Sequence, residues 1–186
     1  MATDRDRLIA LLRSRSLLRG DFVLASGQRS DYYIDCRRTT MHATGLDLIG
    51  RLGLTALRQC GWEPDAVGGL TLGADPVAYA IARASCDAPP PVHAFTVRKS
   101  TKAHGAGKRV EGCFEPGARV VLVEDVITTG GSALEAAKAV RAEGGVVLGI
   151  LAIVDREEGG RAALESAGFG VHALTEVHAL LEGPSA

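Results

Sequence analysis

The chain is 186 residues long, which fits one domain spanning residues 1–186 and lets it bury a core of substantial size. Its 46% apolar and 23% charged residues are typical of a soluble globular protein, and a net charge of −1 gives no general attraction to nucleic acid or to an anionic membrane. No segment approaches the roughly 20 apolar residues of a membrane span, and four scattered cysteines without a Cys-x-x-Cys pair favour reduced thiols in the cytoplasm over a zinc site or a disulfide framework.

The first 40 residues predict a helix and two short strands. Apolar residues recur at helical spacing over residues 4–15, which indicates an amphipathic helix. Strands are predicted at 22–24 and 32–34, with a turn at 26–30 between them.

From residue 44 onward, helical and strand patterns alternate. Helices are predicted at 44–60, 75–85, 131–143 and 158–167, and strands at 66–70, 92–97, 120–123, 146–154 and 170–173. This alternation is typical of an α/β fold with a central parallel sheet covered by helices on both faces. Only the tail, residues 183–186, is predicted to be disordered.

One segment breaks the alternation. Residues 98–113, called the basic loop below, show neither period and carry five Lys or Arg residues, one His and three Gly. A loop of this length in a compact domain is usually functional or disordered. On composition alone, a solvated surface loop remains the alternative.

The most informative segment runs from Val120 to Ser132. An apolar strand leads into two acids, Glu124 and Asp125, and then into residues 128–132, called the phosphate turn below. A helix N-terminus after a parallel strand offers free N–H groups and a positive dipole end, which suits a phosphate. The residues expected to bind it are Thr128, Thr129, Gly130, Gly131 and Ser132. The alternative is a turn in which a hydroxyl caps the helix and the acids are solvated.

Over its thirteen positions this run resembles the motif that binds PRPP (5-phosphoribosyl 1-diphosphate) in type I phosphoribosyltransferases. The resemblance implies the fold of that superfamily, a central parallel sheet flanked by helices with a small hood built from residues 1–40. It also implies that the phosphate turn holds the 5′-phosphate and that Glu124 and Asp125 hold the ribose hydroxyls. Asp125 then lies beside the positive charge that develops on the sugar.

The basic loop resembles the catalytic loop of orotate phosphoribosyltransferases, with the pattern Arg98-Lys99-x-x-Lys102-x-His104-Gly. This implies that Lys99, Lys102 and His104 stabilise the departing pyrophosphate, that Arg98 binds it, and that Mg²⁺ assists. No protein ligand set for Mg²⁺ is evident; the ion is expected to be held mainly by PRPP, near Asp125. The resemblance also implies a homodimer whose catalytic loops are shared between subunits.

Two further segments resemble the orotate site of the same family. Residues 22–35 include Ser26, Tyr32 and Tyr33, which are expected to cover the base. The stretch Asp155-Arg156-Glu157-Glu158-Gly159-Gly160 matches a pattern whose Arg pairs with the orotate carboxylate. A guanidinium fork matches a planar carboxylate, so Arg156 is expected to select orotate. Taken alone, this Arg would be interpreted as a surface ion pair.

Two positions depart from the family pattern. Many members have a Lys where this chain has Ala25, and a Tyr-Lys pair near Leu72. Here Thr71 and Gly73 are expected to bind pyrophosphate through a backbone turn, residues 71–74, at a helix N-terminus. Two outcomes remain open. The missing positive charge is replaced by Arg37, Arg38 or Mg²⁺, or the electrostatic attraction for pyrophosphate is weaker than in those members.

The sequence therefore predicts transfer of phosphoribose from PRPP to orotate, giving orotidine 5′-monophosphate and pyrophosphate. A phosphoribosyltransferase for a purine is one alternative, which the basic loop and the Asp-Arg-x-Glu stretch argue against. A regulator that binds PRPP without catalysis is the other. Such a protein would need a surface that binds nucleic acid. The sequence shows no winged-helix segment before residue 20, and its net charge is near zero.

Overall fold

The computed structural model describes residues 2–23, 29–100 and 108–182. The elements in chain order are α1 (Asp4–Arg15), β1 (Leu17–Val23), β2 (Arg29–Ile34), α2 (Arg37–Thr40), α3 (Ala43–Gln59), β3 (Ala66–Leu70), α4 (Ala74–Asp87), β4 (His93–Val97), β5 (Val110–Gly112), β6 (Arg119–Ile127), α5 (Gly131–Ala142), β7 (Val146–Asp155), α6 (Gly160–Ser166), β8 (Val171–Glu176) and α7 (Val177–Leu181). Within these ranges no helix has the length and apolarity that crossing a bilayer requires.

The six-stranded sheet has the order β5-β4-β3-β6-β7-β8, and every neighbouring pair is parallel except β4 with β5. The predicted α/β architecture is therefore confirmed, with an antiparallel edge strand added. That strand corrects one expectation: residues 110–112 of the basic loop are not irregular but pair with β4.

The sheet is buried on both faces because successive side chains of a strand point in opposite directions. In β6, Val121 and Val123 belong to the core cluster beneath α1, α3 and α4, whereas Val120 and Leu122 belong to the cluster beneath α5 and α6. All four side chains are fully buried. The continuous apolar run seen in the sequence is thus a central strand covered on both sides.

The N-terminal residues divide between the main body and a separate layer. Strands β1 and β2 form a two-stranded antiparallel sheet of their own. Helix α1 instead buries Leu8 and Leu12 in the main core. It begins with a capping box, in which the Thr3 hydroxyl accepts from the Asp6 amide and the Asp6 carboxylate accepts from the Thr3 amide.

Several boundaries differ from those predicted. Strand β6 continues to Ile127, so Glu124 and Asp125 lie within the strand and not after it. Short helices α2 and α7 were not predicted, because four or five residues are too few to show a helical period. The tail, residues 183–186, lies outside the described residues.

Candidate active site

The carboxyl ends of neighbouring parallel strands bring the predicted site residues to one edge of the sheet. Glu124 of β6 pairs in register with Ala152 of β7, and Ile127 with Asp155. The Arg156 amide donates to the Ile127 carbonyl at 3.0 Å, which holds the two strand ends together. This is the position at which parallel α/β sheets bind their ligands.

The phosphate turn forms a small concave cavity of about 70 Å³ at this edge. Gly130 adopts a left-handed conformation with φ of 79°, and α5 begins at the next residue. The first N–H groups of α5 lack partners within the helix and point towards the turn. The cavity is lined by Glu124 and residues 126–133, which include all five predicted phosphate-binding residues.

A second glycine allows α6 to approach this turn. A Cβ atom on Gly160 would lie 2.4 Å from the Thr128 carbonyl oxygen, so a larger residue would push the two turns apart. The segment that carries Arg156 therefore packs directly against the phosphate turn. The sequence motif did not predict this contact, because it joins residues 32 positions apart.

Glu124 is a buried carboxyl group with an unpaired oxygen. Its side chain is 7% exposed, and within the described residues Oε1 has no hydrogen-bond partner. Burial, reinforced by the negative charge of Asp125, raises the pKa of Glu124 to about 8. The group is therefore mostly protonated at neutral pH, and it can donate a hydrogen bond as well as accept one.

Asp125 is also largely withdrawn from water, and burial raises its pKa. Hydrogen bonding to backbone amides, including that of Val126 at 2.9 Å, and the charge of Arg37 act in the opposite direction. The carboxylate is thus the better candidate of the two for carrying a negative charge at neutral pH.

The 71–74 turn lies against the Asp125 carboxylate. A Cβ atom on Gly73 would lie 2.6 Å from Asp125 Oδ1, so a larger residue here would force the carboxylate to move. Both donor groups of Thr71 are occupied: its amide donates to the Val97 carbonyl at 2.9 Å and its hydroxyl donates to Asp75 at 2.6 Å. Thr71 offers lone pairs and no free donor to a phosphate, and its predicted role in binding pyrophosphate stays a prediction.

Arg156 is buried, with a side chain only 5% exposed. Its guanidinium carbon lies 4.8 Å from the centre of the Tyr32 ring, so a residue of β2 covers the cation. Nε donates to Glu158 Oε1 at 2.9 Å. Nη2 lies 2.6 Å from the same oxygen, but this contact lacks hydrogen-bond geometry, and within the described residues Nη2 has no hydrogen-bond partner. A buried N–H group in this state is suited to an incoming carboxylate.

Tyr33 is not brought to Arg156 together with Tyr32. Adjacent residues of a strand point to opposite faces, and the Tyr33 ring packs 5.7 Å from that of Phe22. Its predicted contact with the base stays a prediction. Ser26 and Ala25 lie outside the described residues.

The base of the basic loop is anchored to the helix that follows the phosphate turn. The Arg98 amide donates to the Arg109 carbonyl, and the Arg109 side chain contacts Glu135 of α5. Arg98 itself lies 3.6 Å from Glu111, and Lys99 is exposed. Lys102 and His104 lie outside the described residues, so their roles stay predictions.

Arg37 and Arg38 differ in their relation to the site. Arg37 pairs with Asp35 at 2.8 Å and is close enough to Asp125 to lower the pKa of that carboxyl. No corresponding interaction links Arg38 to the site within the described residues; its carbonyl accepts from Arg15. Sequence reasoning named both residues without choosing between them. The missing signal was the position of α2, which the sequence pattern did not reveal.

The acidic pair fits a divalent cation only as a partial ligand set. Among residues 2–23, 29–100 and 108–182, no group of three or more His, Cys, Asp or Glu side chains is arranged to hold a metal ion. The Asp125 carboxylate is nevertheless a hard oxygen ligand, and Glu124 becomes one where it loses its proton. Mg²⁺ commonly takes one or two such carboxylates and receives its other ligands from substrate phosphates and water.

Comparison with known proteins identifies the family. The phosphoribosyl transferase domain model matches residues 40–172. The orotate phosphoribosyltransferase of Aquifex aeolicus (strain VF5) is 45% identical over 181 residues, covering 96% of this chain and 98% of the relative. The structure resembles Mycobacterium tuberculosis H37Rv orotate phosphoribosyltransferase in complex with Fe(III) dicitrate, with a TM-score of 0.86, 44% identity, and coverage of 96% of this chain and 99% of the other.

The crystal structure of the same mycobacterial enzyme in complex with 5-phospho-alpha-D-ribosyl 1-diphosphate (PRPP) superposes with a TM-score of 0.82 at 41% identity. It covers 96% of this chain and 99% of the other. With identity at this level over nearly the whole length, the chain belongs to the phosphoribosyl transferase family and, within it, to the orotate phosphoribosyltransferases.

Proposed function

We propose that this chain transfers the 5-phosphoribosyl group of PRPP to orotate, giving orotidine 5′-monophosphate and pyrophosphate in pyrimidine nucleotide synthesis. The observation that carries the choice of base is Arg156. It is buried beside the phosphate turn and covered by Tyr32, and within the described residues its Nη2 has an ion-pair contact with Glu158 but no hydrogen bond. A planar carboxylate such as that of orotate satisfies this group, whereas a purine or uracil offers no carboxylate.

The phosphate turn suits the 5′-phosphate, because the N-terminus of α5, whose first N–H groups have no partner within the helix, borders the cavity directly after the left-handed Gly130. Hydroxyl groups of Thr128 and Ser132 border the same cavity and add donors. The ribose then lies over the end of β6, where Glu124 and Asp125 reach its hydroxyl groups. A protonated Glu124 donates to a ribose oxygen without repelling the neighbouring phosphates.

The transfer breaks the bond between C1 of the ribose and a pyrophosphate oxygen, and it forms a bond from C1 to a ring nitrogen of orotate, whose proton leaves. Positive charge develops on the sugar and negative charge on the leaving group. Asp125, held against Gly73, is the carboxylate best situated to stabilise the sugar cation. Lys99, Lys102 and His104 are proposed to stabilise the pyrophosphate, with Arg98 as a further binding group.

Mg²⁺ is proposed as the cofactor, bound mainly by PRPP oxygens next to Asp125. When bound, it would neutralise the pyrophosphate charge and assist its departure. Removing divalent ions with a chelator should abolish turnover, and adding Mg²⁺ should restore it.

The decisive experiment follows the fall in orotate absorbance with purified protein, PRPP and Mg²⁺, with hypoxanthine, adenine and uracil as parallel substrates. Loss of orotate that requires both PRPP and Mg²⁺ is the expected result. Turnover of a purine in place of orotate would refute the role of Arg156. Binding of PRPP without turnover of any base would instead indicate a regulatory protein.

We further propose a homodimer that exchanges catalytic loops. Two side chains support a protein contact: Leu72 is 54% exposed, and Tyr79 is 55% exposed on the wall of a groove between α3 and α4. Mixing two inactive variants, Lys102→Ala and Arg156→Ala, tests the exchange. If the loop acts on the neighbouring subunit, a mixed dimer contains one intact site and activity returns; if it acts on its own subunit, the mixture stays inactive.

A cytoplasmic location is proposed as well. All four cysteines are free, which agrees with a reducing compartment. Fractionation of cells that express a tagged chain would test it.

A further inference from the structure

Asp75 is a buried carboxylate outside the residues assigned so far. It lies in the first turn of α4 and is 9% exposed. Its Oδ2 accepts a hydrogen bond from the Thr71 hydroxyl at 2.6 Å, and its Oδ1 accepts one from the Thr96 hydroxyl at 2.6 Å. Both oxygens are therefore engaged in short, charge-assisted bonds.

These two bonds connect the segments on either side of the proposed pyrophosphate position. Thr71 begins the 71–74 turn, and its amide also donates to the carbonyl of Val97. Thr96 precedes the last residue of β4, and the basic loop starts two residues later, at Arg98. The carboxylate of Asp75 thus sets the distance between the turn and the start of the loop.

A carboxylate at this place needs a physical reason, because a negative charge near a pyrophosphate is unfavourable. The positive end of α4, a helix of 14 residues, offsets part of its charge. The two hydroxyl donors occupy its oxygens and keep them directed at Thr71 and Thr96. Asp75 is therefore arranged to hold protein groups in place and not to contact the substrate.

We infer that Asp75 is a positioning residue for the pyrophosphate end of PRPP. It fixes the 71–74 turn, whose Gly73 lies against Asp125, relative to the strand from which the basic loop begins. The turn and the end of β4 then hold one arrangement before PRPP binds, so binding does not have to bring them together. This inference rests on the proposed binding of pyrophosphate between the turn and the loop.

The alternative is that Asp75 only stabilises the N-terminus of α4. If the role of Asp75 is purely structural, replacing it should lower the thermal stability of the protein or change the kinetic constants for both substrates alike. A positioning role would change the constants for PRPP and leave those for orotate unchanged, because orotate is bound through Arg156 at a different strand.

The first variant changes Thr96, which is not among the residues proposed to contact a substrate and whose hydroxyl donates to Asp75. Thr96→Val removes a donor to Asp75 and keeps the shape of the side chain, and Thr96→Ser retains the donor. We expect Thr96→Val to raise KM for PRPP and Kd for pyrophosphate, measured calorimetrically, by about tenfold, equivalent to about 1.4 kcal/mol. KM for orotate should stay within about twofold, and Thr96→Ser should restore most of the PRPP affinity.

Asp75→Asn is the second variant, and it should shift the same two constants in the same direction. Ser14→Ala is a matched control, because it removes a hydroxyl bond of 3.1 Å on α1, remote from the site. Wild-type turnover of orotate in the same assay tests the proposed function separately, so failure of that function is distinguishable from failure of this inference.

Unchanged PRPP and pyrophosphate constants in folded Thr96→Val and Asp75→Asn would overturn the inference. So would an equal rise in KM for both substrates, or a failure of Thr96→Ser to restore binding. Loss of the fold in both variants would assign Asp75 a purely structural role, which would also overturn the inference.

Discussion

Replacing Glu124 with glutamine should remove a pH-dependent loss of stability from this protein. The carboxyl group is buried at the end of β6 beside Asp125, and its pKa is raised from 4.5 to about 8. In the unfolded chain the group returns to water and to its ordinary pKa. Between these two values the folded protein holds a proton that the unfolded chain releases.

The sign follows from this difference in bound protons. Below about pH 4.5 the carboxyl group is protonated in both states and contributes no pH dependence. As the pH rises towards 8, the free energy of unfolding falls, and above about 8 the fall ends because both states are ionised. At about 1.36 kcal/mol per pKa unit, the whole effect is on the order of 5 kcal/mol, of which about 2 kcal/mol falls between pH 6 and pH 8.

Urea denaturation at pH 6, 7 and 8 measures this effect. The free energy of unfolding of Glu124→Gln minus that of the wild type should grow by about 2 kcal/mol across this range, because glutamine cannot ionise. Asp125 is present in both proteins, so the comparison reports the ionisation of Glu124 together with its coupling to Asp125. Glu165→Gln, the same substitution at an exposed position of α6, is the matched control.

A constant difference between Glu124→Gln and the wild type from pH 6 to pH 8 would refute the reasoning. It would mean that Glu124 is ionised in the folded protein at neutral pH, and hence that a partner for Oε1 stabilises its charge. The role proposed for a protonated Glu124 as a donor to the ribose would then have to be abandoned.

Three further predictions concern substrate binding and the phosphate turn. Arg156→Lys keeps the charge but loses the planar guanidinium fork, so KM for orotate should rise at least about tenfold while KM for PRPP stays within about twofold. An equal rise in KM for both substrates would contradict the assignment of Arg156 to the base. Arg37→Ala should raise KM for PRPP by only about two- to fivefold, because the exposed charge of Arg37 near Asp125 is partly screened. Arg38→Ala should change KM for PRPP less. Identical kinetics of the two variants would exclude a specific role for Arg37. Gly130→Ala should lower the free energy of unfolding by about 1–3 kcal/mol, because the φ of Gly130 is 79° and a Cβ atom there would lie 2.9 Å from Leu164. Gly131→Ala is the control, since a Cβ atom at Gly131 has space. An equal loss of stability in the two variants would show that the turn relaxes around the new methyl group.

Much of this architecture was predictable because its signals are local. The apolar run of β6 and its following helix N-terminus predicted both the central strand and the phosphate turn. The bounds of β6 were less predictable, since strand pairing with β7 extends it through Glu124 to Ile127. The antiparallel strand β5 was missed, because three residues at the sheet edge carry no detectable period.

The sequence by itself determined the fold class, the family and the order of the motifs, because these depend on periodicity and on residues close together in the chain. Tertiary structure alone decided what depends on contacts between distant segments. It brought Arg156 under Tyr32, placed Gly73 against Asp125, and joined Thr71 and Thr96 through Asp75. It also buried Glu124 deeply enough to raise its pKa, because desolvation is a property of the packed site and not of the residue.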